Sequence, residues 1–270
     1  LEDFIRELEG ESKDCLSGDV IKVLRNTSLK VVRGIKVRED TYIKLPNGLV
    51  AVIPSTQLPY IWLNILHIYC FGDYIAYDEF VPRDDWVIID LGASVGLYTL
   101  YVAKLASKGL VVAVEPSSLP RKYLRMNVEI NDLSNVSISR YAVAPRSGRI
   151  KLYVTKYWAT TSAIEEYAKY MGEVVKTEWV EAVTLDELIK YHGLSKVDLL
   201  KLDVEGLELG IIKSSKSIAE GRIKRLVIEV HKNVVDPNEV IRYLRTLNYS
   251  VSLHDVGLEN QVFIYAITQN

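Results

Sequence analysis

The chain has 270 residues, 49% hydrophobic and 25% charged, with a formal net charge of −2. That size and balance suit a soluble globular protein of one large domain, or one domain with a modest extension, and weigh against a protein built to coat nucleic acid, where phosphate neutralisation dominates affinity. The longest apolar run, Ile61 to Gly72, is broken by Asn64 and His67 and falls short of the roughly 20 residues that span a bilayer.

Residues 1–83 read as an N-terminal, β-rich extension. Leu1 to Arg6 lacks the basic-then-apolar pattern of a signal peptide, so a cytoplasmic setting is expected. Cys15 and Cys70 show neither metal-ligand spacing nor a disulfide framework and read as free cytosolic thiols. Val20–Leu24, Tyr42–Leu45 and Leu49–Ile53 have strand character, and Pro46-Asn47-Gly48 is the turn between the last two. A helix is predicted from about Pro59 to Tyr69, with proline in its first turn.

From Asp85 onward strands and helices alternate. Trp86–Asp90, Leu110–Glu115, Val136–Val143, Val197–Leu202 and Ile223–Val230 are short apolar runs with strand character. Val95–Ala106, Leu119–Ile130, Leu207–Lys213 and Pro237–Leu247 have helical spacing. Tyr249–Leu253 and Val262–Ile267 read as a closing antiparallel pair. Strands that are apolar throughout imply a parallel sheet covered on both faces. The expected fold is α/β and Rossmann-like: a mostly parallel seven-stranded sheet with an antiparallel C-terminal strand, spanning residues 84–270. Arg149 to Val183 breaks the alternation and carries an aromatic insertion at about 155–180, with Tyr157, Trp158, Tyr167, Tyr170 and Trp179. Insertions of this length serve as lids, binding loops or oligomer contacts, and this one would suit a symmetric contact.

The strongest chemical signal is Asp90-Leu-Gly92-Ala93-Ser94-Val-Gly96, which follows a strand and opens a helix. Glycines let the backbone turn tightly and approach a ligand. Open α/β sheets bind ligands at the carboxyl ends of their strands. Glu115 ends the next strand, where an acid accepts hydrogen bonds from ribose hydroxyls. A nicotinamide site would have glycine where Ser94 stands. Asp90 at the strand end suits the cationic or polar end of a methionine moiety, so the pattern favours a methyl donor.

Further segments make the sequence similar to the FkbM family of methyltransferases. They are Val87 to Leu100, Val114-Glu-Pro116, Leu124-Arg-Met-Asn127 with Asn131, Val197 to Glu208 and Ile228-Glu-Val-His231. Lys201-Leu-Asp-Val-Glu-Gly206 is the most distinctive of them. The resemblance covers roughly residues 84 to 232; residues 1–80 match nothing in it, and Ser94 stands where the family commonly has Asn. It implies S-adenosylmethionine as cofactor. Asp90, Gly92, Ala93, Ser94 and Gly96 would line its methionine and ribose end. Glu115 would hold the ribose diol, Pro116 would border the adenine, and Ala142 would lie near the adenine ring. It also implies O-methylation of a small-molecule or glycosidic hydroxyl.

Asp203, Glu205, Glu229 and His231 are the candidate catalytic residues, all at the carboxyl edge of the sheet. Asp203 would take a proton from a substrate hydroxyl or hold a cation that does so. As a plainer role, Asp203 and Glu205 would cap the following helix. Alternation puts Glu229 and His231 on one face, where an imidazole beside an acid is a plausible base. Asp203, Glu229 and His231 also form a candidate three-ligand metal set, but such clusters often serve as hydrogen-bond networks and no metal is assigned. His67, His192 and His254 carry no motif and read as surface or capping residues. Lys213 to Arg225 is a basic run, read as a solvated helix and turn. RNA methylation is disfavoured by the net charge, oxidoreduction by Ser94, and a non-catalytic binding module by the retained Asp203 and Glu115.

Overall fold

The computed structural model describes residues 1–269. The N-terminal part is mostly helical. It comprises α1 (Glu2–Glu11), α2 (Gly18–Val32), a hairpin of β1 (Asp40–Lys44) and β2 (Val50–Pro54), and α3 (Leu58–Ile65), which runs on as a wider π turn over Leu66–Phe71. Val20–Leu24, expected as a strand, lies inside α2. The Ser17 side chain caps this helix by accepting from the Val20 amide, and Ile21, Leu24 and Ser28 fall on one buried stripe at helical spacing. The capping and this longer-range period override the local strand preference of Val and Ile. The hairpin is as expected, with Asn47 and Gly48 in its turn and Tyr42 opposite Val52.

The remaining elements follow in order: β3 (Val87–Leu91), α4 (Leu97–Leu105), β4 (Leu110–Val114), α5 (Ser118–Ile130), β5 (Val136–Ser139), β6 (Ala142–Val143), β7 (Gly148–Thr155), α6 (Glu165–Met171), β8 (Val174–Val183), α7 (Leu185–Tyr191), β9 (Leu199–Leu202), α8 (Glu208–Ser214), α9 (Lys216–Ala219), β10 (Arg225–His231), α10 (Pro237–Thr246), β11 (Tyr249–His254) and β12 (Gln261–Thr268). The main sheet has seven strands in the order β11-β12-β10-β9-β3-β4-β5. Only β12 runs against the rest. The predicted strand over Val136–Val143 splits. β5 stays in the main sheet, while β6 turns away and joins β7 and β8 in a separate three-stranded sheet built from the insertion. Sequence reading passed over α7, although Thr184 and Glu187 form a reciprocal capping box at its start.

Strand alternation divides the core in two. Ile88, Val111, Leu199, Val227, Phe263 and Tyr265 point to one face, where they cluster with Ile5, Leu24, Ile53 and Trp62. Ile89, Val112, Leu200, Ile228 and Ile264 point to the other and cluster with residues of α7, α8 and α10. Residues 1–83 therefore share a core with the sheet and supply much of one covering layer.

Two asparagines of the family-like α5 segment fasten this layer. Buried Asn127 accepts from the Val52 amide at 2.6 Å and donates to the carbonyls of Val52 and Val95. Asn131 does the same for Val50. Cys15 and Cys70 are joined as a disulfide, so the expectation of two free thiols is corrected. They are 55 residues apart in sequence, and the packing of α1 and α2 on α3 brings them together.

Candidate active site

The carboxyl ends of β3, β4, β9 and β10 open into a cavity of about 420 Å³, within the size range of small-molecule sites. Tyr60 and Asn64 from α3, Trp158 to Thr161 and Tyr167 from the insertion, and the loop Leu258–Gln261 close it over. Gln57 ties the first two covers together: its Nε2 donates to the Lys156 carbonyl and its Oε1 accepts from the Trp158 amide, both at 3.0 Å.

The glycine turn forms the floor. Gly92 has φ +78°, and a Cβ there would lie 1.8 Å from the Asp203 carbonyl oxygen. This close approach brings the ends of β3 and β9 together. Gly96 has φ +93°, and a Cβ would crowd Leu124 Cδ1 at 2.6 Å, so α4 can pack on α5 only through glycine. Gly92, Ala93 and Ser94 line the cavity with Glu115, Pro116 and Ala142. Asp90 and Gly96 do not reach its surface. Asp90 is fully buried, accepting from the Thr99 hydroxyl at 2.6 Å and lying 3.3 Å from Lys201 Nζ. It organises the floor from beneath.

Glu115 uses both oxygens. Oε2 accepts from the Ser94 amide at 2.9 Å and Oε1 from the Ser117 amide at 2.7 Å. Burial pushes its pKa up to about 7, against the opposing pull of these two amides, Arg121 and Lys201.

The candidate catalytic side chains do converge, together with groups that sequence reading missed. Lys201 is buried between Asp90 and Asp203, its Nζ 3.2 Å from Asp203 Oδ2 and 2.9 Å from the Gly92 carbonyl. Burial alone would lower the Lys201 pKa, but Asp90, Asp203 and Glu229 outweigh it and raise it. A charge set inside an apolar strand is the signal that could have found it, because lysine is buried only when paired. Glu229 accepts from the Tyr74 hydroxyl at 2.5 Å and from Gln261 Nε2 at 2.8 Å; nothing in the sequence around Tyr74 pointed to this.

His231 sits among carboxylates. Its Nε2 is 3.4 Å from Glu205 Oε2 and 3.8 Å from Glu229 Oε1, and its Nδ1 is 3.7 Å from Glu208 Oε1. Burial would lower its pKa, but Glu205, Glu208 and Glu229 raise it well above the ordinary imidazole value. Burial pushes Glu205 up to about 8, with His231 opposing and Asp203 adding.

The predicted capping role of Asp203 and Glu205 is corrected. Glu208 holds the turn before α8, accepting from the Val204 amide at 3.1 Å and the Gly206 amide at 3.0 Å. That leaves the Asp203 and Glu205 side chains facing the cavity, with Glu205 at φ +57°. The tightest possible metal-binding group among the described residues is Asp203, Glu205 and His231, with Glu205 in place of the expected Glu229.

Two of the other histidines depart from expectation. His67 Nδ1 lies 2.5 Å from Asp73 Oδ2 and His254 Nε2 lies 2.8 Å from Asp73 Oδ1, so both join one partly buried cluster. His192 ends α7, as a capping residue would. The basic run is largely paired: Lys213 with Glu239, Arg222 with Glu220, and Arg225 over the Trp86 ring.

The family described as the methyltransferase FkbM domain matches residues 90–251. The AMB antimetabolite synthetase AmbE of Pseudomonas aeruginosa is 25% identical over 224 residues, 70% of this chain and 10% of that protein. The 31-O-demethyl-FK506 methyltransferase FkbM of Streptomyces tacrolimicus is 25% identical over 239 residues, 77% of this chain and 88% of that protein. The crystal structure of methyltransferase FkbM from Methylobacillus flagellatus aligns with a TM-score of 0.51 at 14% identity, covering 92% of this chain and 60% of that one. This chain thus spans only a tenth of the synthetase.

Proposed function

The chain belongs to the FkbM family of S-adenosylmethionine-dependent methyltransferases, and from that premise we propose that it methylates a hydroxyl oxygen of a small-molecule or glycosidic acceptor. The observation that carries this reading is the cavity itself. One end is floored by the glycine turn and Glu115; the other is lined by Asp203, Glu205, Glu229 and His231. A donor end and an acceptor end meet where β3 and β9 approach most closely.

In the proposed reaction the acceptor oxygen attacks the sulfonium methyl carbon. The carbon–sulfur bond breaks, its electron pair stays on sulfur, and S-adenosylhomocysteine leaves. The hydroxyl proton passes to the carboxylates at the acceptor end. Asp203 is the foremost of these, because its Oδ1 has no hydrogen-bond partner while both oxygens of Glu229 are engaged. The enzyme's main contribution is placement: holding oxygen and methyl within attack distance replaces an encounter with an internal step. Gly92 to Ser94 and Glu115 hold the donor, and the aromatic insertion with α3 shuts out water. The relative whose name specifies an O-methylation, the FK506 methyltransferase, supports an oxygen acceptor.

No helix among the described residues is long and apolar enough to cross a membrane. The Cys15–Cys70 disulfide weighs against the cytoplasmic setting expected from the sequence, since such bridges are rare in a reducing cytosol.

Calorimetric titration with S-adenosylhomocysteine and with NAD tests the donor. Binding of the former alone, lost in Glu115→Ala, is the expected result; preferential NAD binding would overturn the reading. Asp203→Asn should then bind the donor product normally and turn over poorly.

A further inference from the structure

The acidic end of the cavity holds more carboxyl groups than cationic side chains. Lys201 lies between Asp90 and Asp203. His231 alone faces Glu205, Glu208 and Glu229. Buried carboxylates in such an excess require protons or a bound cation.

The atoms of this cluster that lack hydrogen bonds share one place, although His231 Nε2 and Glu205 Oε2 lie 3.4 Å apart as an ion pair. Asp203 Oδ1, Glu205 Oε2 and His231 Nε2 are all buried without a hydrogen-bond partner. One ligand atom from each of these residues can be chosen so that all lie within 4.8 Å of one another. His231 itself is only 1% exposed. Its other nitrogen, Nδ1, faces Glu208, which the Val204 and Gly206 amides fix in place. At 3.7 Å this is a charge contact without a hydrogen bond; closing it would give the carboxylate–imidazole pair that orients the other nitrogen toward a metal.

We propose that Asp203, Glu205 and His231 bind a divalent first-row metal cation. Two carboxylates and an imidazole are a mixed oxygen and nitrogen set, suited to ions such as Mn²⁺ that also take oxygen ligands from substrates. The cation's remaining positions open into the cavity, where they meet the acceptor oxygen. Asp203 then acts on the acceptor through the cation. This last point rests on the methyl-transfer reading; the binding of the cation does not.

The test uses the full chain, freed of metal with a chelator and titrated with MnCl₂. Loss of the free Mn²⁺ electron paramagnetic resonance signal reports binding without any turnover. The expected result is saturable binding of one Mn²⁺ per chain, abolished in Asp203→Asn and His231→Ala. Glu208→Gln, which alters the group facing Nδ1 and also the acceptor of the Val204 and Gly206 amides, should weaken it by about 10- to 100-fold. S-adenosylhomocysteine binding, measured on the same samples, shows that each variant is folded. The proposal is overturned if the folded wild-type chain binds no Mn²⁺ at millimolar concentration, or if folded variants bind it as the wild type does. It is equally overturned if S-adenosylhomocysteine displaces the ion, since the acids would then serve the donor's amino group. Mn²⁺ binding by a wild-type chain that ignores S-adenosylhomocysteine would uphold the cation site and count against methyl transfer.

Discussion

Lys201 Nζ lies 3.2 Å from Asp203 Oδ2, two positions on and just past the end of β9. The lysine reaches back under the glycine turn to Asp90 and to the carbonyls of Leu91 and Gly92. One buried cation thus joins the glycine turn that floors the cavity to the first acid past the end of β9.

Removing that cation should be costly. Lys201→Met leaves Asp90 fully buried, with an Oδ1 that has no hydrogen bond and no opposing charge. Breaking one side of a buried ion pair typically costs about 3–5 kcal/mol. Urea unfolding should show a loss of that order at neutral pH. A change below about 1 kcal/mol, the range of exposed pairs, would mean that solvent reaches Asp90.

Donor binding should depend on pH through Glu115. Burial raises its pKa to about 7. The ionised form accepts ribose hydroxyls and the protonated form does so less well, so affinity is full above pH 7 and is lost as pH falls below it. Between pH 8 and pH 6, S-adenosylhomocysteine should bind about tenfold more weakly, the change in ionised fraction across that interval. Glu115→Gln should bind weakly at both values, and a wild-type profile that is flat would contradict this role.

Gln57 should affect the acceptor and spare the donor. It clamps Lys156 and Trp158 of the insertion to the N-terminal layer and touches nothing in the glycine turn. Gln57→Ala loses two hydrogen bonds, each worth about 1 kcal/mol. KM for the acceptor should rise by about tenfold, with donor affinity unchanged. Equal losses in both would show that the insertion also holds the donor.

The disulfide should stabilise the N-terminal layer. Closing a loop of 55 residues restricts the unfolded chain by an amount worth about 4 kcal/mol. Reduction, or the double variant Cys15→Ser with Cys70→Ser, should lower the guanidinium midpoint accordingly. Donor binding should persist at low denaturant, because neither cysteine lines the cavity.

Much of the donor end was legible in the sequence because it is local. Glycine spacing after a strand, an acid at the next strand end and the Lys201 to Gly206 segment each lie within a few residues, and backbone geometry dictates what such spacings can do. The central strands and their helices were equally readable, since their periods of 2 and 3.6 are written in consecutive residues. Asp90 shows the limit: its position at a strand end was evident, but whether the carboxylate faces ligand or core depended on Thr99 and Lys201 packing beneath it.

By itself, then, the sequence determined the α/β architecture, the glycine turn, Glu115 and the set of acids at the strand ends. Only the tertiary structure decided that residues 1–83 form a layer of the same core, that Cys15 meets Cys70, and that Glu208 rather than Asp203 holds the turn before α8. It also drew Glu205, Glu208 and Glu229 around the one imidazole of His231, which raises its pKa. The reason is common to all four. Short-range spacing constrains the backbone, whereas burial, pairing and protonation depend on neighbours that the chain brings together only when it is folded.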